Sequence, residues 1–357
     1  MRRQLLLYFL LSLIIISCKK DDNEDIGYSA TPASLTIPTI FEQKLLPPDI
    51  PADNPQTVEG IELGKKLFFD PILSGNDTQA CASCHSPQNA FTDVRQFSVG
   101  IDGIAGNRNS MPLYNMAWNF NKKFFWDGRA FGLEEQILEP VTNPIEMHNT
   151  WEQAAASLQA TSVYPDLFND AFGTTTIDST LVSKAIAQFL RTLISGNSKF
   201  DRYLLNQEML TPSELNGLNV FLDESRGDCF HCYGNPNNPL WTDNAFHNNG
   251  LDEVITDKGL GQVTGDPRDF GLFKTPSLRN LAYTAPYMHD GRFATIDEVI
   301  DHYSEGLVYS ETIDPLMKSV PQGGVQLSES DKADLKAFLL SLSEPGFINN
   351  PDFQDPN

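Results

Sequence analysis

Cys81, Cys84 and His85 lie in the run Cys81-Ala82-Ser83-Cys84-His85. In a C-x-x-C-H spacing two thiols can add to the vinyl groups of a haem, and the histidine that follows can reach its iron as proximal ligand. Two other chemistries use paired cysteines. A thioredoxin-like redox pair belongs in a βαβ setting, and the pattern here is helix–loop–helix. A four-ligand zinc site needs a second ligand pair and leaves the adjacent histidine unexplained. Haem c attachment is therefore expected at Cys81, Cys84 and His85. A second pair follows in Asp228-Cys229-Phe230-His231-Cys232-Tyr233-Gly234, where tyrosine stands in the histidine position.

The elements that carry these pairs repeat. Glu62 to Asp70 precedes the first pair, and Glu214 to Asp223 precedes the second. Each reads as an amphipathic helix entering a cysteine-bearing loop. Thr211-Pro212-Ser213-Glu214 supplies a capping threonine, a first-turn proline and a glutamate three residues on. Leu181, Ala185, Leu190 and Leu193 mark another helix. Leu335, Phe338, Leu339 and Leu342 mark a last one, with Ser328 or Ser330 as its cap. Long alternating strand patterns are absent. The expected fold is mainly α, with two cytochrome-c-like haem domains and long connecting loops.

The chain has 357 residues, enough for two ordinary domains, and its hydrophobic fraction of 40% is globular. Net charge is −22, which argues against nucleic acid and suits a cationic redox partner. Of five cysteines, Cys18 stands alone. It follows Arg2, Arg3 and the apolar run Leu5 to Ile16, too short to span a bilayer comfortably. Ile15-Ile16-Ser17-Cys18 reads as a lipobox, so residues 1–17 are expected to be a lipoprotein signal and Cys18 the lipidated residue that meets the membrane. Residues 18–50 read as a flexible tether. Residues 51–205 then form the first haem domain, 206–345 the second, and 346–357 a tail. A cell-envelope, periplasmic location follows.

Between and after the cysteine pairs stand Phe124-Phe125-Trp126-Asp127-Gly128-Arg129-Ala130, Leu133-Glu134-Glu135-Gln136, Asn143-Pro144-Ile145-Glu146-Met147, Thr275-Pro276-Ser277-Leu278-Arg279-Asn280 and Ala285-Pro286-Tyr287-Met288-His289-Asp290-Gly291. With Cys81 to His85, this ordered series resembles the bacterial di-haem cytochrome c peroxidase family over roughly residues 55 to 345. That family includes the di-haem enzymes that mature methylamine dehydrogenase.

The resemblance implies hydrogen peroxide as substrate at the His85 haem, and a small cytochrome c or cupredoxin as electron donor. It makes Glu146 the acid–base group, since a carboxylate beside the open iron position can take a proton from one peroxide oxygen and return it to the other. Gln136 positions the peroxide, and Trp126 stands between the haems. Arg129 meets a haem propionate by a charge-assisted contact. Calcium is implied between the domains, on the Asn109 side chain and the carbonyls of Thr284 and Pro286, hard oxygen donors of the kind that ion requires. A homodimer is compatible with the family.

Reductively activated members carry a distal histidine that blocks the first iron. Here that position falls at Ile101, and no histidine lies between His85 and His148. An open first haem without a reductive switch is expected. The second site departs further. Tyr233 replaces the proximal histidine, leaving three alternatives: haem with Tyr233 or a displaced histidine as ligand, no haem, or simple thiols or a disulfide. His247 and His289 are the conceivable replacements. The position of the sixth ligand falls at Tyr303, as in the maturation enzyme. The leading expectation is peroxide reduction. Its rivals are an oxidase of a protein or organic substrate, and a non-catalytic haem electron-transfer or sensor protein.

Overall fold

The computed structural model describes residues 28–356, and its regular structure is almost entirely helical. The first half contains α1 (Thr39–Lys44), α2 (Val58–Phe69), α3 (Leu133–Thr142), α4 (Trp151–Gln159), α5 (Tyr164–Phe172), α6 (Ser179–Thr192) and α7 (Lys199–Leu204). The second contains α8 (Pro212–Leu222), α9 (Phe230–Tyr233), α10 (Leu260–Thr264), α11 (Ile296–Glu305), α12 (Glu329–Ser341) and α13 (Pro345–Ile348). Two short antiparallel ladders pin the long loops. β1 (Lys123–Phe124) pairs with β2 (Ala130–Phe131), and β3 (Phe246–His247) pairs with β4 (Phe273–Lys274).

The helices start where their side chains can satisfy the free N–H groups of a first turn. Thr57 caps α2 and Asp178 caps α6. Thr211 and Glu214 form the reciprocal capping box expected at α8, and Ser328 caps α12. The repeat is also a packing repeat. Helix α2 lies against α6, and α8 against α12, each pair meeting at a glycine. A Cβ on Gly64 would sit 1.9 Å from the Ala185 carbonyl oxygen, and one on Gly217 would sit 1.9 Å from that of Asp334. Only the missing side chains allow such approaches.

Each pair closes over its own core. Leu63, Leu67, Phe68, Phe91, Phe168, Ile186 and Phe189 belong to the first, and Phe200, Phe221, Trp241, Ile300 and Phe338 to the second. Burying such a side chain contributes roughly 1.5–3 kcal/mol. A bidentate pair with almost no exposure, in which Arg279 donates to Asp201 at 2.7 and 2.8 Å, ties α7 to the second core. Tyr114 of the first half donates to the Arg279 carbonyl oxygen.

Two expectations at the ends are corrected. Not all of residues 18–50 form a loose tether: Ile40 and Phe41 are buried on α1, in a third cluster with Trp118 and Leu240. Nor is 346–357 a free tail, because Phe347 and Phe353 are buried against Phe91 in the first core. Both segments carry aromatic or branched side chains that bury more apolar surface than a solvated chain would allow. Cys18 and the expected signal segment lie outside the described residues. Among the described residues no helix is long and apolar enough to cross a membrane.

Candidate active site

A single 3-10 turn, Cys81–Ser83, presents the first pair, and the His85 amide bonds back to the Cys81 carbonyl at 3.0 Å. The imidazole is oriented from behind. Its Nδ1 lies 2.9 Å from the Phe91 carbonyl oxygen and 3.2 Å from the Ser110 hydroxyl. Ala90 and Phe91 adopt left-handed φ values of 49° and 61°, which bring that carbonyl round to the ring. A proton on Nδ1 donated to Phe91 leaves the Nε2 lone pair as the free ligand. Burial holds the His85 pKa below its ordinary value, so the ring is neutral, as a metal ligand must be.

His85 and Cys84 line a cavity of about 1100 Å³ together with Trp126, Arg129, Gln136 and Glu146. Cofactor pockets commonly measure roughly 300–1,000 Å³. Thiol, free imidazole nitrogen and volume fit a haem c. Cations fit its propionates, though each is already engaged. Arg129 pairs with Asp127 and Glu139 and stacks on Phe125 at 3.6 Å; Arg108 pairs with Asp127 and Asp257. Lys274, 7% exposed, reaches only neutral acceptors, Asn119 Oδ1 at 3.2 Å and the Asn244 carbonyl at 3.1 Å. Burial pulls its pKa down to about 7.

Helix α3 and the turn after it set the polar wall. Gln136 faces the cavity one turn before Pro140, which has no N–H to return to the Gln136 carbonyl. The helix stops at Asn143, whose side-chain amide donates to Glu146 Oε1 at 2.6 Å. Burial pushes the Glu146 carboxyl up, while the Asn143 bond and the Arg129 charge pull it down. The structure thus brings Glu146, Gln136 and His85 to one cavity.

The loop around Ile101 is fastened to this turn. The Ile101 amide donates to the Glu146 carbonyl at 2.9 Å, and Gly100 passes so close to the Ile145 and Glu146 carbonyls that a Cβ there would clash at 2.3 and 2.6 Å. Val99 and Gly100, not Ile101, line the cavity, and neither carries a ligating side chain.

Trp126 borders both this cavity and a second one. Its indole N–H donates to the Asn109 carbonyl at 2.8 Å, and its own carbonyl accepts from the Lys274 amide at 2.9 Å. The second cavity measures about 200 Å³. Cys229 and Cys232 line it as free thiols, with Tyr233 from α9 and Tyr303 from α11. Asn249 donates to the Tyr303 oxygen at 3.1 Å. Apolar walls and paired thiols suit a haem; the small volume and the missing proximal histidine do not. Of the two conceivable replacements, His247 has both ring nitrogens bonded. His247 is held between Asp243 at 2.8 Å and Asp314 at 2.5 Å, and His289 is stacked on Phe273 at 3.6 Å.

Asn109, Thr284 and Pro286 border the same second cavity. The Asn109 amide nitrogen donates to the carbonyls of Arg95 and Gln96. Among the described residues no group of three or more histidine, cysteine or acidic side chains gathers to hold a metal ion. Sequence reasoning passed over the Phe91 carbonyl, Asn143 as partner of Glu146, and Lys274. Only Asn143 left a signal, three residues before Glu146.

With this geometry established, comparison with known proteins places the chain. A sequence model of the di-haem cytochrome c peroxidase family matches residues 58–209. The methylamine utilization protein MauG of Methylophilus methylotrophus is 36% identical over 305 residues, covering 83% of this chain and 86% of that one. The cytochrome c551 peroxidase of Nitrosomonas europaea is 35% identical over 316 residues, covering 86% and 85%. A solved MauG-like protein associated with microbial copper homeostasis superposes with a TM-score of 0.82 at 34% identity, over 91% of this chain and 99% of that one. The chain belongs to the di-haem cytochrome c peroxidase family. It is an oxidoreductase of mainly helical fold, and the family implies haem c as its cofactor.

Proposed function

We infer that this protein reduces hydrogen peroxide to water at the His85 site, with electrons from a small cytochrome c or cupredoxin. The observation that carries this reading is Glu146, a half-buried carboxylate held by Asn143 in the cavity that His85 lines. Haem c bound through Cys81, Cys84 and His85 would supply a redox-active iron able to deliver electrons to the oxygen–oxygen bond.

The chain's own residues handle protons and position. Gln136 offers an amide to hold the peroxide. Glu146 takes the proton from one oxygen and returns it to the other, so that two electrons and two further protons complete two waters. Asn143 keeps the carboxylate aimed while it is charged. Val99 and Gly100, beside the Glu146 turn, offer no side chain that could ligate an iron, and this supports a site that would need no reductive opening. Trp126 offers an aromatic path from the second domain.

Glu146→Gln should lower turnover of peroxide with reduced cytochrome by roughly 10²–10⁴-fold, the usual worth of a general acid–base group, with the haem spectrum retained. Unchanged turnover would remove Glu146 from the reaction.

A second reading, oxidation of a protein or organic substrate, draws support from Tyr303 in the second cavity and from the MauG relatives. Slow peroxide turnover with a long-lived oxidised state would favour it. The expected address is the cell envelope, with a lipid on Cys18, and calcium between the domains on Asn109, Thr284 and Pro286 belongs to the same proposal.

A further inference from the structure

We propose that Lys274, rather than Arg129, is the cation that receives a propionate carboxylate of the haem held by Cys81, Cys84 and His85. This rests on haem attachment at that site and not on the peroxidase reading.

The first argument is the charge balance of the cavity wall. Arg108 and Arg129 share Asp127, and each has a second carboxylate as well, Asp257 for one and Glu139 for the other. Arg292 lies between Asp252 and Asp290. Lys258 is exposed, with its ammonium 4.7 Å from the centre of the Phe270 ring. Among the described residues of this wall, Lys274 is the buried cation without a carboxylate partner. Its Nζ donates only to Asn119 Oδ1 at 3.2 Å and the Asn244 carbonyl at 3.1 Å. Asp243 contributes charge without an ion pair, its own carboxylate lying 2.8 Å from His247 Nε2. A lysine is almost never buried unless paired, because burial strips its water and neutral acceptors restore only part of what is lost.

The second argument is placement. Lys274 ends β4, where its amide donates to the Trp126 carbonyl at 2.9 Å and the Thr275 amide donates to the Ala245 carbonyl at 2.8 Å. The backbone is thus fixed on both sides, and the residue borders the first cavity beside Trp126. The centre of the Phe246 ring lies 6.0 Å from Nζ, a neighbour that attracts a cation but cannot neutralise it.

The third argument is chemistry. A propionate is an anion that the haem itself brings into a cavity whose arginines are already compensated. A charge-assisted bond from ammonium to carboxylate is stronger than the neutral contacts it replaces. It also offsets negative charge at the edge of the haem, which favours the reduced iron. Burial alone pulls Lys274 down to about 7, and a carboxylate beside it would restore the charged form.

The test uses the haem-loaded full chain. Intact mass and a pyridine haemochrome confirm attachment, resonance Raman reads the propionate bending band, and spectroelectrochemistry reads the midpoint potential of the His85 haem. Lys274→Met should shift the band and disfavour the reduced iron about tenfold, a drop of about 59 mV for one electron. Lys274→Arg should return both toward wild type, and Arg129→Gln should leave the band in place. A band insensitive to Lys274→Met overturns the proposal, whether or not Arg129→Gln moves it. A crystal structure of the haem-loaded wild type decides the matter even where Lys274→Met fails to take up haem. Nζ in salt-bridge reach, within about 4 Å of a propionate oxygen of that haem, upholds the proposal, and a longer separation overturns it. A wild type without haem on Cys81 and Cys84 overturns the attachment and this proposal with it. Peroxide turnover, measured separately, reports on the peroxidase reading and leaves this one untouched.

Discussion

Asn143 donates to Glu146 Oε1 at 2.6 Å across a single turn, and this bond opposes the burial that pushes the carboxyl upward. Removing the donor should raise the Glu146 pKa further, because the charged form loses a hydrogen bond. Asn143→Ala is expected to move the acid limb of the peroxide rate profile to higher pH, with a loss of about tenfold below that limb, one pKa unit being 1.36 kcal/mol. A profile identical to wild type would show that Glu146 does not set the limb.

Trp126 is a joint as well as a path. Its indole N–H satisfies the Asn109 carbonyl while the ring borders both cavities. Trp126→Phe keeps an aromatic ring but leaves a buried acceptor unpaired, which costs about 1–3 kcal/mol. Urea unfolding should show that loss at unchanged haem content. Stopped-flow should show slower electron passage between the domains if the indole carries it; an unchanged rate would leave Trp126 a packing residue.

The mainly helical fold was legible because helix signals are local: Thr211 with Glu214, and the stripe from Leu335 to Leu342, need no tertiary partner to be recognised. Cys81 to His85 was legible because attachment chemistry fixes their spacing. Contacts across the chain were not. Arg279 and Asp201 are far apart in sequence, and no pattern announces that their guanidinium and carboxylate meet with almost no exposure. The Phe91 carbonyl behind His85 is a backbone atom, invisible to any reading of side chains. Phe347 and Phe353 looked like an end because their burial depends on Phe91, in the other half of the molecule.

His247 lies between Asp243 and Asp314, and their hydrogen bonds and charge raise its pKa from 6.5 to about 9. A folded-state pKa above the unfolded one means that the native protein binds the proton more tightly. The resulting stability is full below about pH 6.5 and is lost as pH rises through about 9. Urea midpoints should therefore fall across that window, by a free energy of about 1–3 kcal/mol. His247→Gln should flatten the dependence. A wild-type midpoint level from pH 6 to 9 would mean that the two carboxylates do not hold an imidazolium.

The duplicated architecture rests on Gly64 and Gly217, and this gives a sharper test of the repeat than sequence similarity does. In both helices a Cβ would stand 1.9 Å from a carbonyl oxygen of the partner helix. Backbone cannot yield as the end of a flexible side chain can, so α2 would have to move from α6, or α8 from α12. Overpacking of this kind typically costs about 1–3 kcal/mol, occasionally more. Helix propensity pulls the other way, alanine being favoured over glycine by roughly 1 kcal/mol. Gly64→Ala and Gly217→Ala should each destabilise despite that gain, by similar amounts. A destabilised Gly217→Ala beside a neutral Gly64→Ala would mean that only the second helix pair depends on close backbone approach. Haem content of the two variants locates the damage, since α2 leads into Cys81 and α8 into Cys229.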